Sequence, residues 1–168
     1  MRNFLIFITV LLNTTIISAQ LLTIDTQVKL GTGIAITPGY NQVNIRRSFT
    51  NIITDISFII DEDRSFQYGF SIDLDLERRM TFTPGIYLKL EKKLNNTDFS
   101  IFGIGGITYM VTPETIFGFR VGFGTNYMLL HYLGFVLQLD IEPLLFGSGL
   151  DGKMMNEIKF LFGVNVLF

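Results

Sequence analysis

The chain has 168 residues, which is enough for one domain of ordinary size. Only 17% of its residues are charged and 48% are hydrophobic, whereas a soluble domain carries about a quarter charged residues. The net charge of −2 argues against a nucleic-acid-binding protein. The absence of cysteine excludes disulfides, thiolate metal sites and a lipid-anchored N-terminal cysteine. A chain this apolar either spans a membrane or buries a very large core.

Residues 1–19 are predicted to form a cleavable signal peptide. Arg2 supplies the positive start, residues 4–12 form an apolar run, and Ala19 supplies a small residue at the cleavage site. A membrane-anchoring helix is the alternative, but it needs about 20 apolar residues and polar residues interrupt this run too early. Residues 20–168 would then form a single exported domain.

Beyond residue 20 the hydrophobicity alternates with a period of two, which is typical of strands and incompatible with a helix. Residues 66–77 show this pattern most clearly, because every even position is apolar and every odd position is polar or glycine. The fifth segment is ambiguous, since apolar residues fall on both of its faces. The pattern predicts eight strands, at residues 24–36, 50–60, 66–77, 81–91, 98–110, 115–126, 133–142 and 157–168.

The apolar face of these strands is predicted to point outward. An eight-stranded barrel has a lumen just wide enough for side chains, and it could hardly hold roughly forty bulky apolar residues. Glycine, which is frequent on the polar face, gains nothing on a solvated surface but makes room where facing side chains meet. We therefore predict an all-β, antiparallel, up-and-down transmembrane barrel of eight strands, with its apolar face toward lipid and a polar, glycine-rich lumen. A soluble secreted ligand-binding barrel with the opposite orientation is the alternative.

The signal peptide, the alternation and a final strand that ends in Phe168 together resemble the small outer-membrane barrels of bacteria, of the OmpA-like and OmpX-like class. The leader is also similar to those of exported Bacteroidota proteins, including barrels of the porin-family type. The resemblance covers the whole mature chain but is one of pattern. It implies a Gram-negative outer membrane, contact with its lipid and lipopolysaccharide, and recognition by the barrel-assembly machinery. The C-terminal insertion signal would consist of Phe160, Phe162, Val164, Val166 and Phe168.

Charged residues on the polar face would be enclosed in such a lumen, where an isolated charge is costly. They should therefore pair, either as a plug that fixes the strand register or as a gate on a narrow ion path. Eight strands leave no open channel, which favours the plug. The predicted salt-bridge network contains Lys29, Asp73, Asp75, Lys89, Arg120, Asp140, Glu142 and Lys159.

No catalytic, cofactor or metal site is predicted. Asp73, Asp75 and Glu77 point the same way on one strand, but successive carboxylates lie about 7 Å apart, so a cation would need ligands from neighbouring strands. His131 is the only histidine. It lacks the His-x-Ser pattern expected of a barrel that hydrolyses or transfers lipid acyl groups, and we expect it at the surface, in the turn before the seventh strand.

Both chain ends should face the periplasm, because the number of strands is even. The longest connections, residues 37–49 and 143–156, would then lie on the outer side. Arginine pairs in the outer loops suit the phosphate groups of lipopolysaccharide, and ordinary solvated charge is the alternative. These candidate lipid contacts are Arg46, Arg47, Arg78 and Arg79.

The function expected from these features is that of a monomeric, non-enzymatic outer-membrane barrel with a structural or surface-contact role. A narrow pore, or a small subunit of a transport or secretion assembly, is the alternative within the membrane. The sequence indicates neither a cofactor nor a nucleic-acid partner.

Overall fold

The computed structural model describes residues 23–38, 43–61, 63–76, 81–95, 97–112, 115–148, 150 and 154–168, and only the backbone of residues 37–38 and 43–49. These residues form a closed barrel in which each strand pairs with its neighbours in sequence and the first pairs with the last. All pairings are antiparallel, so the predicted eight-stranded up-and-down barrel is confirmed. The strands are β1 Ile24–Pro38, β2 Val43–Ile59, β3 Phe66–Asp75, β4 Thr81–Lys93, β5 Phe99–Met110, β6 Ile116–Leu130, β7 Leu133–Gly147 and β8 Met155–Leu167.

No helix among the described residues is long and apolar enough to cross a membrane. The expected signal peptide at residues 1–19 lies outside the described residues and stays a prediction.

The alternation in sequence becomes the two faces of the barrel wall, because successive side chains of a strand point to opposite sides. On β3, the outward-facing Phe70 is 54% exposed, whereas the inward-facing Gln67 is 1% exposed. Every strand carries large apolar side chains on its outer face, and most buried side chains are polar or charged. The predicted orientation, apolar outside and polar inside, is confirmed.

Glycines make room for large side chains in the lumen. Tyr87 lies between Gly69 and Gly106 in register, and Phe102 lies opposite Gly124. A Cβ atom at Gly69 would come within 2.8 Å of the Tyr87 ring, and one at Gly124 would collide with Phe102. Charged side chains use the same space, since Asp140 lies opposite Gly122 and Lys29 opposite Gly163.

Two connections are shorter than the sequence predicted. The prediction of a loop over residues 37–49 is wrong, because β2 begins at Val43 and pairs with β1 as far as Pro38. The expected loop at residues 143–156 is also too long, since β7 continues to Gly147 and β8 begins at Met155. Ladder hydrogen bonds between antiparallel strands do not require an apolar face, so the hairpins extend beyond the alternating region.

Pro143 lies within β7 and not at its end. The pairing of β7 with β6 breaks off between the pairs Gly118–Leu144 and Val121–Ile141. This interruption accommodates the proline, which has no N–H to donate to a ladder.

Both termini of the barrel lie at one end, which we call the terminal end. Ile24 and Phe168 exchange two backbone hydrogen bonds there, of 3.1 and 2.9 Å. The connections around Asp61, residues 94–98 and residues 131–132 lie at the same end, because the strands alternate in direction. The opposite end is called the loop end.

The Asp61 carboxylate organises the turn between β2 and β3. It accepts hydrogen bonds from the backbone N–H groups of Ser65 and Phe66, at 3.1 and 3.0 Å, and from the Ser65 hydroxyl. These bonds, the one from the Ser65 hydroxyl above all, hold the pKa of Asp61 below its ordinary value. The turn is therefore pinned by an ionised side chain.

Apolar side chains fill the lumen near the loop end. Met110, Ile116 and Leu144 form a buried cluster there, together with Leu150, which follows β7 in sequence. Leu150 is buried although it lies outside any strand. The lumen is thus closed by apolar contacts toward the loop end and by ionic contacts further in.

Candidate functional site

Arg120 is the centre of the ionic contacts in the middle of the lumen. Its guanidinium binds Asp55 through two parallel hydrogen bonds, Nη1 to Oδ1 at 2.9 Å and Nη2 to Oδ2 at 3.1 Å. Its Nε donates to Asp140 Oδ2 at 2.8 Å. Lys29 binds the same Asp55 carboxylate and donates to Gln138 Oε1 at 2.8 Å. Two cations and two carboxylates therefore neutralise one another in this layer.

Lys159 binds a second group of carboxylates, on the loop-end side of Arg120. Its Nζ lies 2.6 Å from Asp73, 2.7 Å from Glu142 and 3.2 Å from Glu157. Glu142 also lies 3.8 Å from Arg120 Nε, which joins this group to the central one. Strands β3, β7 and β8 are tied together in this way.

Lys89 forms a third group toward the terminal end. Its Nζ lies 3.1 Å from Asp25 Oδ2 and 2.7 Å from Glu91 Oε2. Glu91 further accepts hydrogen bonds from Gln67 Nε2 at 3.0 Å and Asn126 Nδ2 at 2.9 Å. These contacts connect β1, β3, β4 and β6 across the lumen.

Aromatic side chains pack between the ionic groups. The Lys89 ammonium lies 4.8 Å from the centre of the Phe102 ring, and the Arg120 guanidinium lies 5.9 Å from the Tyr87 ring. The Tyr87 hydroxyl is satisfied by a 2.7 Å hydrogen bond with Ser57. The rings therefore share the lumen with the cations, and cation–π contacts add to the ion pairs there.

The four cations named from the sequence, Lys29, Lys89, Arg120 and Lys159, are all buried in the lumen. The structure brings them into contact with three of the four named carboxylates: Asp73, Asp140 and Glu142. The fourth, Asp75, is buried on β3 between Asn51 and Thr81 in register. Sequence reasoning did not name four further carboxylates as partners: Asp25, Asp55, Glu91 and Glu157. Their position on the polar face was visible, but their height in the lumen was not.

The arginine pairs differ in placement from the sequence interpretation. Arg46 and Arg47 lie in strand β2 and not in a loop, since the β1–β2 ladder continues through Arg47, opposite Ala35. The bulge in register falls beside Arg46. Arg78 and Arg79 lie outside the described residues.

The remaining named residues lie at the outer surface. In the C-terminal strand the outer face carries Phe160, Phe162 and Val164, and the terminal Phe168 is 75% exposed. Val166 is half-buried on the same face. His131 is exposed in the turn between β6 and β7. In the part of the chain that the structure describes, no group of three or more His, Cys, Asp or Glu side chains is arranged to hold a metal ion.

No protein-family model and no curated protein matches the sequence. The fold is similar to that of solved outer-membrane barrels. Neisserial surface protein A matches with a TM-score of 0.58 and 8% identity, over 84% of this chain and 96% of that chain. Ail, the attachment invasion locus protein of Yersinia pestis, matches with a TM-score of 0.53 and 12% identity, over 88% and 99%. The outer membrane protein OprG from Pseudomonas aeruginosa matches with a TM-score of 0.51 and 10% identity, over 88% and 96%. At these identities the likeness shows a shared fold.

Proposed function

We propose that the protein is a monomeric integral barrel of the bacterial outer membrane, exported by the signal peptide at residues 1–19, with a lumen plugged by ion pairs and a structural or surface-contact role. The observation that carries this proposal is the distribution of side chains, because charged residues are buried inside the barrel and apolar residues are exposed outside it, the reverse of a soluble protein. Lys29 and Asp140 are fully buried inside, whereas Phe123, Leu90 and Phe160 are about 60% exposed outside. This arrangement suits a barrel surrounded by acyl chains.

The exposed apolar surface is too large for a protein in water. Large apolar side chains are exposed on all eight strands. The largest apolar patch on a soluble monomer is roughly 300–600 Å². A surface that encircles the molecule favours lipid as the surrounding medium and disfavours the soluble ligand-binding alternative.

The height of the apolar band supports the same conclusion. On β6, Phe117 and Tyr127 are aromatic residues ten positions apart, and at about 3.3 Å per residue they span roughly 33 Å along the strand. A tilt of about 40° reduces this to roughly 25 Å, the usual height of the apolar band of an outer-membrane barrel. Aromatic rings meet at both limits: Phe117 with Phe119 near the loop end, and Phe99 with Tyr127 near the terminal end. Such rings suit the two interfaces of a membrane.

Fractionation of cells that express the full chain tests the proposal. We expect the protein in the outer-membrane fraction, extractable only with detergent, and we expect the folded form to migrate differently on a gel before and after boiling. Release into the soluble fraction without detergent would reject the membrane role.

Conductance measurements test the proposal that the lumen is plugged. Arg120, with its partners on β2 and β7, occupies the middle of the lumen, and eight strands leave no space beside it. Purified protein in a planar bilayer is therefore expected to be nearly silent, with a known porin as the positive control. Regular single-channel steps would favour the pore alternative.

Lipopolysaccharide contact by the arginine pairs is part of the proposal as well. The test is a variant with glutamine at the four positions, which keeps a polar side chain but removes the charge. Weaker binding of lipopolysaccharide is expected, and unchanged binding would assign these arginines to ordinary surface charge. The positions are Arg46, Arg47, Arg78 and Arg79.

A further inference from the structure

A small pocket lies between the Lys89 group and the terminal end of the lumen. Its volume is about 90 Å³, and Asp25, Gln67, Glu91 and Asn165 are among the residues that line it. A water molecule in liquid occupies about 30 Å³, so the pocket has room for one ion with one or two waters.

Three buried oxygen atoms on residues that line this pocket accept no hydrogen bond from any described residue. They are Asp25 Oδ1, Gln67 Oε1 and Asn165 Oδ1. Their residues are 2%, 1% and 3% exposed, respectively. A buried acceptor without a donor is destabilising, so each of these oxygens calls for an electropositive partner.

Neighbouring contacts fix the orientation of Gln67 and Asp25. The Gln67 Nε2 group donates to Glu91 Oε2 at 3.0 Å and to the Arg64 carbonyl at 3.2 Å, so a flipped amide would lose both bonds. Asp25 uses Oδ2 to accept from Lys89 and from Gln27, which leaves Oδ1 without a donor. These contacts therefore fix the positions of the Gln67 and Asp25 oxygens.

The charges around the pocket do not balance. Inside, Asp25 and Glu91 face the single cation Lys89, which leaves one negative charge. The central layer beyond them, Lys29 and Arg120 with Asp55 and Asp140, is neutral. At the rim of the pocket two carboxylates balance two cations: Asp63, Asp98, Arg64 and Lys93. One monovalent cation would neutralise the pocket, whereas a divalent ion would leave an excess positive charge.

We propose that this pocket binds one alkali-metal cation, with Asp25 Oδ1, Gln67 Oε1 and Asn165 Oδ1 as its protein ligands. Carboxylate and amide oxygens are the ligands that hard cations prefer. The ion would also join β1, β3 and β8 at the terminal end. Only one of these three ligands is a carboxylate, so a sequence pattern of acidic residues and histidine does not reveal such a site.

Sodium-23 NMR on the folded full-length mature chain in detergent micelles tests the site. Sodium bound by the protein should broaden the resonance, potassium should compete, and the bulky cation N-methyl-D-glucamine should not. The Asp25→Asn variant removes the charge with little change in shape, and we expect it to lose most of the excess line width. Glu157→Gln is the matched control, because it removes the same charge from the Lys159 group toward the loop end, away from the pocket, and should keep the broadening.

The stability of the barrel gives a second measurement. Exchange of N-methyl-D-glucamine for sodium at constant ionic strength should raise the unfolding temperature of the wild type by on the order of 3–6 °C when the sodium concentration is about ten times the dissociation constant. Asp25→Asn should not respond. If Asp25→Asn does not fold, Asn165→Ala takes its place, since it removes a neutral ligand only.

Equal broadening in the wild type and the Asp25 or Asn165 variant would overturn the proposal and assign the pocket to water. Sodium binding at this pocket depends on the folded barrel and not on its proposed membrane role. A protein that is soluble on fractionation but binds sodium through Asp25 would reject the role and keep the site.

Discussion

Replacement of Arg120 by methionine should destabilise the barrel more than any other single change of a charge in the lumen. The variant keeps most of the side-chain length but removes three hydrogen bonds, two to Asp55 and one to Asp140. Removal of one partner from a buried ion pair typically costs 3–5 kcal/mol, because the other charge stays buried. Lys29 still binds Asp55, and Gln138 still donates to Asp140, so we expect about 3 kcal/mol.

Urea unfolding, followed by the gel shift between folded and boiled forms, measures this loss. Lys92→Met is the matched control, since Lys92 is exposed and its replacement should change the free energy of unfolding by less than about 0.5 kcal/mol. The double variant Arg120→Met with Asp140→Asn should recover part of the loss, because it also removes an unpaired charge. If Arg120→Met lost no more stability than Lys92→Met, the ion pairs would not hold the strands together and the account of the lumen would be refuted.

Three further predictions test other parts of the structure. Gly69→Ala should lower the free energy of unfolding by about 1–3 kcal/mol, because the new methyl group would collide with the neighbouring strand. Gly105→Ala is its control and should be neutral, since nothing lies within 4 Å of its Cβ position. The midpoints of urea unfolding measure both. Phe168→Ser should reduce the heat-modifiable fraction in cells several-fold while refolding in detergent is unchanged, and equal amounts in cells would remove the insertion signal. Asp61→Asn should flatten the acid limb of the curve of stability against pH. The low pKa of Asp61 means that its contribution to the free energy of unfolding is present above about pH 4 and is lost as the pH falls further. An identical acid limb in the variant would contradict the role of the Ser65 contact.

The sequence predicts the wall of the barrel well, because each side chain has only two directions to choose from. Period-two alternation assigned the face of Phe70, of Lys29 and of Arg120 without knowledge of their neighbours. β5 was ambiguous for a physical reason. Phe102 and Ile104 face inward, where a small facing residue, Gly124 opposite Phe102, leaves room for them.

The partners within the lumen could not be predicted in the same way. Asp55 and Arg120 are 65 residues apart in sequence and lie on strands β2 and β6, which do not pair with each other. Their contact depends on the stagger of the strands around the barrel, which sets the height of each residue. Alternation determines the face of a residue but carries no information about that height, so Asp55 and Glu157 were not named as partners.

The proposed export of this chain explains the ionic lumen better than a gain in stability does. Buried ion pairs often stabilise no more than apolar side chains of the same size, so an apolar plug would fold as well. With apolar residues on both faces, however, β7 would become a continuous apolar run of 15 residues and β8 one of 13. About 20 apolar residues suffice for a membrane helix, so such strands would come closer to that length during the proposed export. Asp140 and Glu142 interrupt β7, and Glu157 and Lys159 interrupt β8. Pairing these charges inside the closed barrel then lets the finished wall be apolar on the outside, although neither strand is apolar throughout.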